Sequence, residues 1–455
     1  MATTTTTNST LFAPPFGPLN AVREHVVRNA APLNPLRFLF FFVAPCVIIY
    51  YQALLLVSPG ARKNRGKRAA LGVLGLAVML NSWTNYRFVS PELNAFNNGF
   101  TIVFLHLALK FIEFGLLTNR VHDPYMALGR SRHVAAVDLC INSRMVSLGS
   151  VGLDTVAGPP NASLPKHPHV ERHLRHKRRR RHPRPTTRWG SVSRHARHAF
   201  VHYVVLDTLL ALLSLVGPDT LGAPRGTRNV LDKFIASTKI TVLPGILDWV
   251  LPAGGVRFFT EVCVPLVIWQ SLSCGYHSLA MACVGSGFWE VQSWDVDLFD
   301  APWRADSIID LWGKRWHQMF RHQFIILSVT VTRALGVKIG SHALFLLTFV
   351  FSGLLHAFGE LSMDPLPEPW KLGTFFVLAG LGCAIEVSFK RATGHRVKGF
   401  LGRIWTWTFM YFAGGLATNA WLDGGIAGCT LLPSGGVGSY TAPLVLSRLC
   451  LVERI

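Results

Sequence analysis

Charged residues are scarce in this chain. Only 15% of its 455 residues are charged, whereas 50% are apolar. Several apolar runs approach the length of about 20 residues that a helix needs to cross a bilayer. Because a helix satisfies its own backbone polar groups in lipid, these runs exclude an ordinary soluble protein. The composition predicts an all-α fold, a polytopic transmembrane helical bundle of about 7–10 spans with a long basic loop.

Acidic residues are the rarer charge: 24 Asp and Glu stand against 45 Lys and Arg, which gives a net charge of +21. In a soluble protein this imbalance would indicate nucleic acid. Here twelve of the basic residues fall between Lys166 and Arg197, with Glu171 the single acid among them. No interleaved aromatic platform for bases accompanies them. The run therefore predicts a solvated loop that contacts membrane lipids, and no nucleic-acid partner.

Paired cysteines, a signal peptide and internal repeats are also absent. The eight cysteines form no Cys-x-x-Cys pair and lie mostly in apolar segments, which predicts free thiols. The first residues lack the basic start and short apolar core of a signal peptide, so we expect the first membrane helix to direct targeting. The lack of a repeat disfavours a transporter built from inverted halves.

Changes in polarity divide the chain into four predicted segments. Residues 1–35 are polar and Thr-rich, which predicts a disordered tail. The sequon at Asn8 would make the protein a glycoprotein if this end is lumenal. Residues 36–118 are predicted to form N-terminal transmembrane helices, and residues 119–199 a basic, disordered loop. Residues 200–455 are predicted to form the membrane core, with its distinctive motifs at 307–361.

Apolar runs indicate seven clear membrane spans and three doubtful ones. The doubtful runs are Ala69–Trp83, Thr241–Leu251 and Ile426–Val452, which are short, weakly apolar or interrupted by Pro and Gly. The clear spans are Phe38–Val57, Phe100–Leu117, Phe200–Val216, Val262–Val284, Ser341–Phe358, Thr374–Phe389 and Trp405–Trp421.

An aromatic and basic segment, Ser307–Phe324, precedes the fifth of the clear spans. Taken as a helix, it pairs Asp310 with Lys314 one turn apart and leaves His317 at the border of an apolar face. By pattern alone, the favoured interpretation is a helix that lies on the bilayer surface, although His317 could turn inward from its border position. The residues of the apolar face are Ile308, Trp312, Trp316, Met319 and Phe320.

A second histidine, His356, lies in an apolar segment, since nearly every residue from Ala343 to Phe358 is apolar or small. An imidazole in hydrocarbon is costly unless partnered, so it is a candidate functional group. The alternative is a purely structural role, in which His356 packs between helices and its ring nitrogen hydrogen-bonds to a backbone carbonyl or to Ser352. A metal site that combines His356 with His317 and Glu360 is only weakly supported, because no close ligand pair accompanies them.

Other polar residues also fall in apolar segments. His106, Lys110 and Glu113 share one helical face, and Glu386 precedes Lys390 by one turn. Such groups most often brace helices or extend to the membrane interface. Alternatively they line a polar path, which would make the protein a membrane transporter or channel.

Two motifs carry a family resemblance. SIIDLWGKRWHQMFR (Ser307–Arg321) resembles the Ser-x-x-x-Phe-Trp-Gly-Arg-Arg-Trp-His-Gln signature of the wax-synthase-like branch of the membrane-bound O-acyltransferase superfamily. FVFSGLLHAFGEL (Phe349–Leu361) resembles the second motif of that family, an apolar helix with Ser-Gly-x-x-His. Leu311 and Lys314 depart from the signature, which usually has Phe and Arg there. The resemblance is sharp over about 300–361 and diffuse elsewhere.

The resemblance implies acyl transfer from acyl-CoA to an alcohol inside the membrane. It assigns the catalytic histidine of the superfamily to His356 and the second family position to His317. Within this branch, plant members esterify long-chain alcohols, whereas many fungal members acetylate hydroxyls of terpenoids and meroterpenoids. The favoured expectation is therefore acetyl transfer from acetyl-CoA to a lipophilic secondary metabolite. Wax-ester synthesis from a long-chain fatty acyl-CoA is the alternative.

Such a reaction needs a base, an oxyanion donor and a coenzyme site. Neutral imidazole can take the proton of the attacking hydroxyl, and a dry site protects the thioester from water. No metal, bound cofactor or covalent intermediate is expected, and acyl-CoA is the co-substrate. The expected location is the endoplasmic reticulum, and the oligomeric state stays open. Expected substrate contacts are Trp312, Trp316 and Ser352, and expected contacts to the coenzyme phosphates are Lys314, Arg315 and Arg321.

Overall fold

The computed structural model describes residues 29–118, 129–142, 187–214, 228–294, 297–336, 342–432 and 448–454, with a few isolated positions between them. The predicted tail 1–35 and the centre of the basic loop lie largely outside the described residues. The helices are α1 (Pro35–Val57), α2 (Arg65–Asn85), α3 (Pro91–Leu116), α4 (Pro124–Ala127), α5 (Arg132–Ile141), α6 (Arg188–Ser214), α7 (Val230–Ser237), α8 (Ala253–Gly285), α9 (Arg321–Ala334), α10 (His342–Glu360), α11 (Pro369–Thr393) and α12 (Gly399–Asp423).

Six of these helices are long and apolar enough to cross a bilayer, namely α1, α3, α6, α8, α10 and α11. Helices α2 and α12, of 21 and 25 residues, have the length but are not among the six. The outer face of α12 nevertheless exposes large apolar side chains such as Leu401 and Phe412, as expected for a face that contacts lipid. The predicted all-α, polytopic architecture is therefore confirmed, although six spans are fewer than predicted.

Short strands replace two of the doubtful spans. Strand β1 (Ala31–Pro32) pairs in parallel with β2 (Tyr86–Arg87). Strand β3 (Thr238–Val242) pairs antiparallel with β4 (Trp249–Val250) on one side and with β5 (Cys450–Arg454) on the other. Thr241–Leu251 and the described part of Ile426–Val452 are therefore not membrane helices. The β-branched residues of β3 suit a strand, and paired edges satisfy the backbone groups of these segments.

Part of the loop predicted over 119–199 is helical, so the prediction is wrong there. Helix α5 lies within it, and α6 begins at Arg188, twelve residues before the predicted span. Lys110, fully buried on α3, donates to the carbonyl oxygens of Leu139 and Cys140 at 2.9 and 2.6 Å. It thereby satisfies carbonyls at the end of α5 that have no partner within the helix. Lys110 therefore braces two helices, which is the interpretation that the sequence favoured over a polar path.

Helices α10 and α11 pack so closely that glycine is required between them. A Cβ atom at Gly353 would lie 3.2 Å from the carbonyl oxygen of Gly373 and 3.2 Å from Cβ of Phe376. Small residues permit such backbone contact between membrane helices. The contact fixes α10 against α11 within one turn of His356.

Candidate active site

The signature motif begins at a helical turn whose first backbone amides are capped twice. Ser307 accepts a hydrogen bond from the Asp310 amide at 2.9 Å. The carboxyl group of Glu386, on α11, accepts from the amides of Ile308 and Ile309 at 2.6 and 3.0 Å. These amides have no partner within the helix, and a carboxylate suits the positive end of a helix.

A third donor completes this cap, because the indole Nε1 of Trp405, on α12, donates to Glu386 at 3.0 Å. The pairing of Glu386 with Lys390 that the sequence indicated is not its role, since Lys390 is exposed. Glu386 instead connects the signature motif to α11 and α12.

The prediction of one continuous helix over Ser307–Phe324 is wrong. A helical turn, Ile308–Asp310, continues as a π-helical turn, Leu311–Arg315, and the backbone becomes extended at Trp316, with φ −75° and ψ 159°. Gln318 explains the break: its side-chain amide donates to the carbonyl oxygens of Trp312 and Trp316 at 2.9 and 2.7 Å. A side chain that bonds the nearby backbone competes with the helical hydrogen bonds. The five apolar residues therefore do not share a helical face.

Two of the three basic residues of the motif lie beside acidic side chains. Arg315 forms an ion pair with Asp310 and donates to the carbonyl oxygens of Asp300 and Ala301. Lys314 lies 3.9 Å from the Asp300 carboxylate and not beside Asp310, so the predicted pairing of Asp310 with Lys314 is wrong.

Arg321 lies deeper in the protein. Its guanidinium donates to the carbonyl oxygen of Gly313 at 3.2 Å and lies 3.4 Å from Oε1 of Gln318. Burial lowers the pKa of Arg321. These contacts tie the end of the π-helical turn to the start of α9.

His317 projects from the extended stretch into an aromatic surround. Its ring lies edge to face against Phe299 and Phe320, with centroids 5.7 and 6.2 Å apart. Its Nδ1 atom is buried and has no hydrogen-bond partner among the described residues. Burial, with a smaller contribution from the nearby His356, lowers the pKa of His317 to about 3. The ring is therefore neutral across the physiological pH range.

His356 lies on α10 with one ring nitrogen fixed. Its Nδ1 atom is 2.7 Å from the carbonyl oxygen of Ser352, one turn earlier. A carbonyl oxygen can only accept, so Nδ1 carries the hydrogen, and Nε2 of the neutral ring keeps its lone pair. The ring also stacks on Phe376 of α11, with centroids 4.5 Å apart. The backbone contact that the packing interpretation expected is present, and it leaves Nε2 as a base.

The two histidines share one neighbourhood, although they are far apart in sequence. A continuous set of ring contacts runs from His356 through Phe376, Trp312 and Trp316 to His317, with centroids 4.5 to 6.0 Å apart. Both imidazoles lie deep in the protein, yet each keeps part of its surface accessible. This combination is expected of side chains that line an internal cavity.

Several polar atoms around these rings lack a partner among the described residues. The indole Nε1 of Trp312 is one, and Nδ1 of His106, whose ring lies 5.2 Å from that of Phe320, is another. Both carboxyl oxygens of Glu360, one turn after His356, are also unpaired. Unpaired buried groups are costly, so they are typical of sites that bind a polar ligand.

Not every predicted polar group joins this neighbourhood. Glu113 accepts from Nε2 of His322, on α9, at 2.9 Å, and Lys110 caps α5 as described. His106 and Glu386 contact this neighbourhood through residues distant in the chain, and Gln318 supports it through the nearby carbonyl groups of Trp312 and Trp316. The helical spacing of polar residues along the sequence therefore did not identify these contacts.

Residues 294–378 match the membrane bound O-acyl transferase family. The matched range begins before the signature motif, contains His317 and His356, and ends just after Phe376. The match covers less than a fifth of the chain, and it coincides with the segment that forms the aromatic neighbourhood.

Curated relatives align with longer parts of the chain at low identity. A fungal acetyltransferase, eriL from Hericium erinaceus, is 23% identical over 255 residues, which are 53% of this chain and 58% of the relative. Acyl-CoA–sterol O-acyltransferase 1 from Arabidopsis thaliana is 28% identical over 130 residues, 27% of this chain and 36% of the relative. A long-chain-alcohol O-fatty-acyltransferase from Simmondsia chinensis is 29% identical over 108 residues, 22% and 30% respectively. The chain thus spans between about a third and three fifths of these relatives.

Proposed function

By its residues 294–378 the chain is a member of the membrane-bound O-acyltransferase superfamily, in the wax-synthase-like branch, and on this premise we propose that it transfers an acyl group from acyl-CoA to the hydroxyl of a lipophilic alcohol within the membrane. The observation that carries the proposal is the hydrogen bond between Nδ1 of His356 and Ser352. It leaves Nε2 as an oriented proton acceptor beside a second neutral imidazole. A packing histidine would make the same bond, so what favours a base is that the ring lies near the neutral ring of His317 and in the same aromatic neighbourhood as the unpaired Nε1 of Trp312.

In the proposed reaction His356 acts as general base. Its Nε2 takes the hydroxyl proton as the alcohol oxygen attacks the thioester carbonyl, which forms a carbon–oxygen bond. The tetrahedral intermediate then expels the coenzyme thiolate, which breaks the carbon–sulfur bond and receives the proton from His356. The imidazole is regenerated without oxidation or reduction.

The oxyanion of the intermediate needs donors that are in place before the reaction. The Trp312 indole N–H is buried without a partner, and His317 presents a neutral ring nearby. We assign these two groups to the oxyanion, with Trp316 and Ser352 as the walls against which the substrate packs. In this proposal the aromatic side chains around the two imidazoles limit the access of water and so protect the thioester from hydrolysis.

The coenzyme phosphates require cations near the mouth of the site. Lys314, Arg315 and Arg321 remain the proposed contacts, and Lys314, with 40% of its side chain exposed, is the most available of them. Arg315 and Arg321 also hold the turn. If Lys314 binds phosphate, Lys314→Gln raises the Michaelis constant for acyl-CoA and leaves the maximal rate unchanged. An unchanged constant would remove Lys314 from the coenzyme site.

We propose acetyl-CoA as donor and a hydroxylated terpenoid or meroterpenoid as acceptor, in the endoplasmic reticulum membrane. The support is the alignment with the fungal acetyltransferase, which extends over 53% of this chain, well beyond the motif segment. Fatty acyl transfer to a long-chain alcohol is the second candidate, supported by the relative from Simmondsia chinensis.

An assay of membranes that contain the full chain tests both candidate reactions. The membranes are supplied with labelled acetyl-CoA or palmitoyl-CoA and with a panel of terpenoid, sterol and fatty alcohols. Acetylated terpenoid is the expected product. If the products are instead palmitoyl esters of fatty alcohols, wax-ester synthesis becomes the favoured activity and acetyl transfer is rejected.

The histidine assignment has a control on the same helix. His356→Gln should lower turnover by roughly 10²- to 10⁴-fold, the usual contribution of a general base. His342→Gln, at the other end of α10 and bonded to Arg391 at 3.0 Å, should turn over normally. Full turnover by His356→Gln, at equal protein levels, would remove His356 as base. No turnover by the unvaried protein with any alcohol would favour the transporter alternative.

A further inference from the structure

A cluster of imidazoles lies outside the proposed active site, between α6 and α8. His198 and His202, one turn apart on α6, face His277 on α8, and one ring nitrogen or more of each lies within 4.8 Å of the others. The His277 ring stacks on those of His198 and His202, with centroids 4.9 and 5.6 Å apart and interplanar angles of 21° and 6°. We propose that these three histidines bind a divalent transition-metal ion, with zinc as the best match to the ligands.

Three imidazoles are a common ligand set for zinc, and two of them at i and i+4 of a helix present their nitrogens on the same side. Nitrogens around tetrahedral zinc are about 3.3 Å apart, given Zn–N bonds of about 2.0–2.1 Å. The ligand atoms therefore close by at most about 1.5 Å on binding. His198 is exposed, so its side-chain torsions permit this adjustment, whereas His277 is buried and fixes the position of the site.

The second nitrogens of two rings already have partners, as is usual for metal-binding histidines. Nδ1 of His202 lies 2.5 Å from Oε1 of Gln270, so it donates, and Nε2 is left with its lone pair. Nδ1 of His277 lies 2.9 Å from Nδ1 of His195. When His277 binds metal through Nε2, its Nδ1–H donates to His195.

The charges that face the cluster determine its fourth ligand. The Asp297 carboxylate interacts electrostatically with both His198 and His277. Its oxygens are not among the ligand atoms that lie within 4.8 Å of one another, so its side chain has to turn toward the cluster before it can complete a tetrahedral set and reduce the charge of the ion. Opposing cations are Arg197 and Arg194. Arg194 lies 3.7 Å from Asp297 and 3.3 Å from Nε2 of His195, and metal binding requires it to turn from that nitrogen toward the carboxylate.

The position of the cluster indicates a structural role. The ion would join α6 to α8, and the His202 ring lies 6.5 Å from that of Trp269. Trp269 contacts Phe299 at 6.0 Å, and Phe299 contacts His317. Metal binding would therefore fix one wall of the aromatic neighbourhood without touching the reacting groups.

The test uses the full chain, purified in detergent through a tag without histidine. After incubation with zinc and dialysis, elemental analysis should find about one zinc ion per chain. Cobalt(II), used as a coloured probe, should show the strong visible absorption of tetrahedral coordination. His202→Gln and His277→Gln should lose both signals, and His395→Gln, which alters an exposed histidine, should keep them.

Two further measurements keep the proposal testable if a ligand variant folds poorly. Zinc should raise the unfolding temperature of the unvaried protein, and a chelator should reverse the rise. Gln270→Met, which retains all ligands, should weaken zinc affinity by roughly 10- to 100-fold. The proposal is overturned if the unvaried protein retains no zinc and shows no thermal shift, or if folded His202→Gln keeps the full metal content.

Discussion

Glu386→Gln tests whether the cap on the signature motif positions His317. In the structure Oε1 accepts from the Ile308 amide and the Trp405 indole, and Oε2 accepts from the Ile309 amide. Glutamine has one oxygen and one amide group. In its better orientation it keeps the two bonds made by Oε1 and turns an N–H donor toward the donor of Ile309.

The magnitude follows from this count. One buried backbone donor loses its acceptor, which costs about 1–3 kcal/mol of folding stability. The same change frees the first turn of the motif, and His317 follows a few residues later. A displacement of about 1 Å at a reacting group can lower the rate by about 10²-fold. We therefore expect a lower unfolding temperature together with a lower kcat at saturating acyl-CoA.

The assay compares Glu386→Gln with Lys390→Gln, in purified protein, by thermal unfolding and by initial rates at varied acyl-CoA. Lys390 is the partner that sequence spacing assigned to Glu386, and the structure leaves it exposed. If the cap is correct, Lys390→Gln behaves as the unvaried protein. Equal damage in both variants would restore the ion-pair interpretation, and an undamaged Glu386→Gln would refute the reasoning.

Three further outcomes are expected. Gln318→Leu removes the two side-chain bonds that break the helix before α9 and leaves two carbonyl oxygens without their donor, so kcat should fall by up to about 10²-fold and the unfolding temperature should fall as well, as initial rates and thermal scans will show. Lys110→Met leaves two carbonyls at the end of α5 unpaired and should cost about 1–3 kcal/mol in denaturant unfolding, whereas equal stability would contradict the cap. His317 has a folded pKa of about 3, below that of the unfolded chain, so as pH falls the unfolded state binds its proton first. Its contribution to stability is therefore complete above about pH 6.5 and declines from there toward pH 3; His317→Gln should lack this part of the pH dependence of the unfolding temperature.

The sequence was sufficient for the class of fold and for the two motifs. Apolar runs near 38–57, 262–284 and 341–358 became helices α1, α8 and α10, because burial in lipid depends on composition over a whole segment. His356 was identifiable for the same reason, as one imidazole in an otherwise apolar helix.

The features that the sequence did not predict depend on particular side-chain contacts, some of them local and some between distant residues. The aromatic spacing of Trp312 and Trp316 fits a helix, but the Gln318 side chain takes their carbonyl groups and ends it. Helical spacing also joined Glu386 to Lys390, whereas its donors come from residues about eighty positions earlier in the chain. Local periodicity contains no information about such partners.

His198 and His202 were a missed local signal. Two histidines one turn apart are visible in the sequence, but the predicted boundary between the basic loop (119–199) and the span from Phe200 placed them in different segments. The two histidines become a candidate metal site only because the fold places His277, on another helix, next to them.

The close contact between α10 and α11 at Gly353 limits the routes by which an acceptor alcohol can reach His356. Because the backbone of α10 touches that of α11 at Gly373, the two helices leave no room at this level for a bulky lipid-soluble alcohol to pass between them from the bilayer. A Gly353→Ala substitution would push the two helices apart at this point and displace the Phe376 ring that stacks on the imidazole of His356.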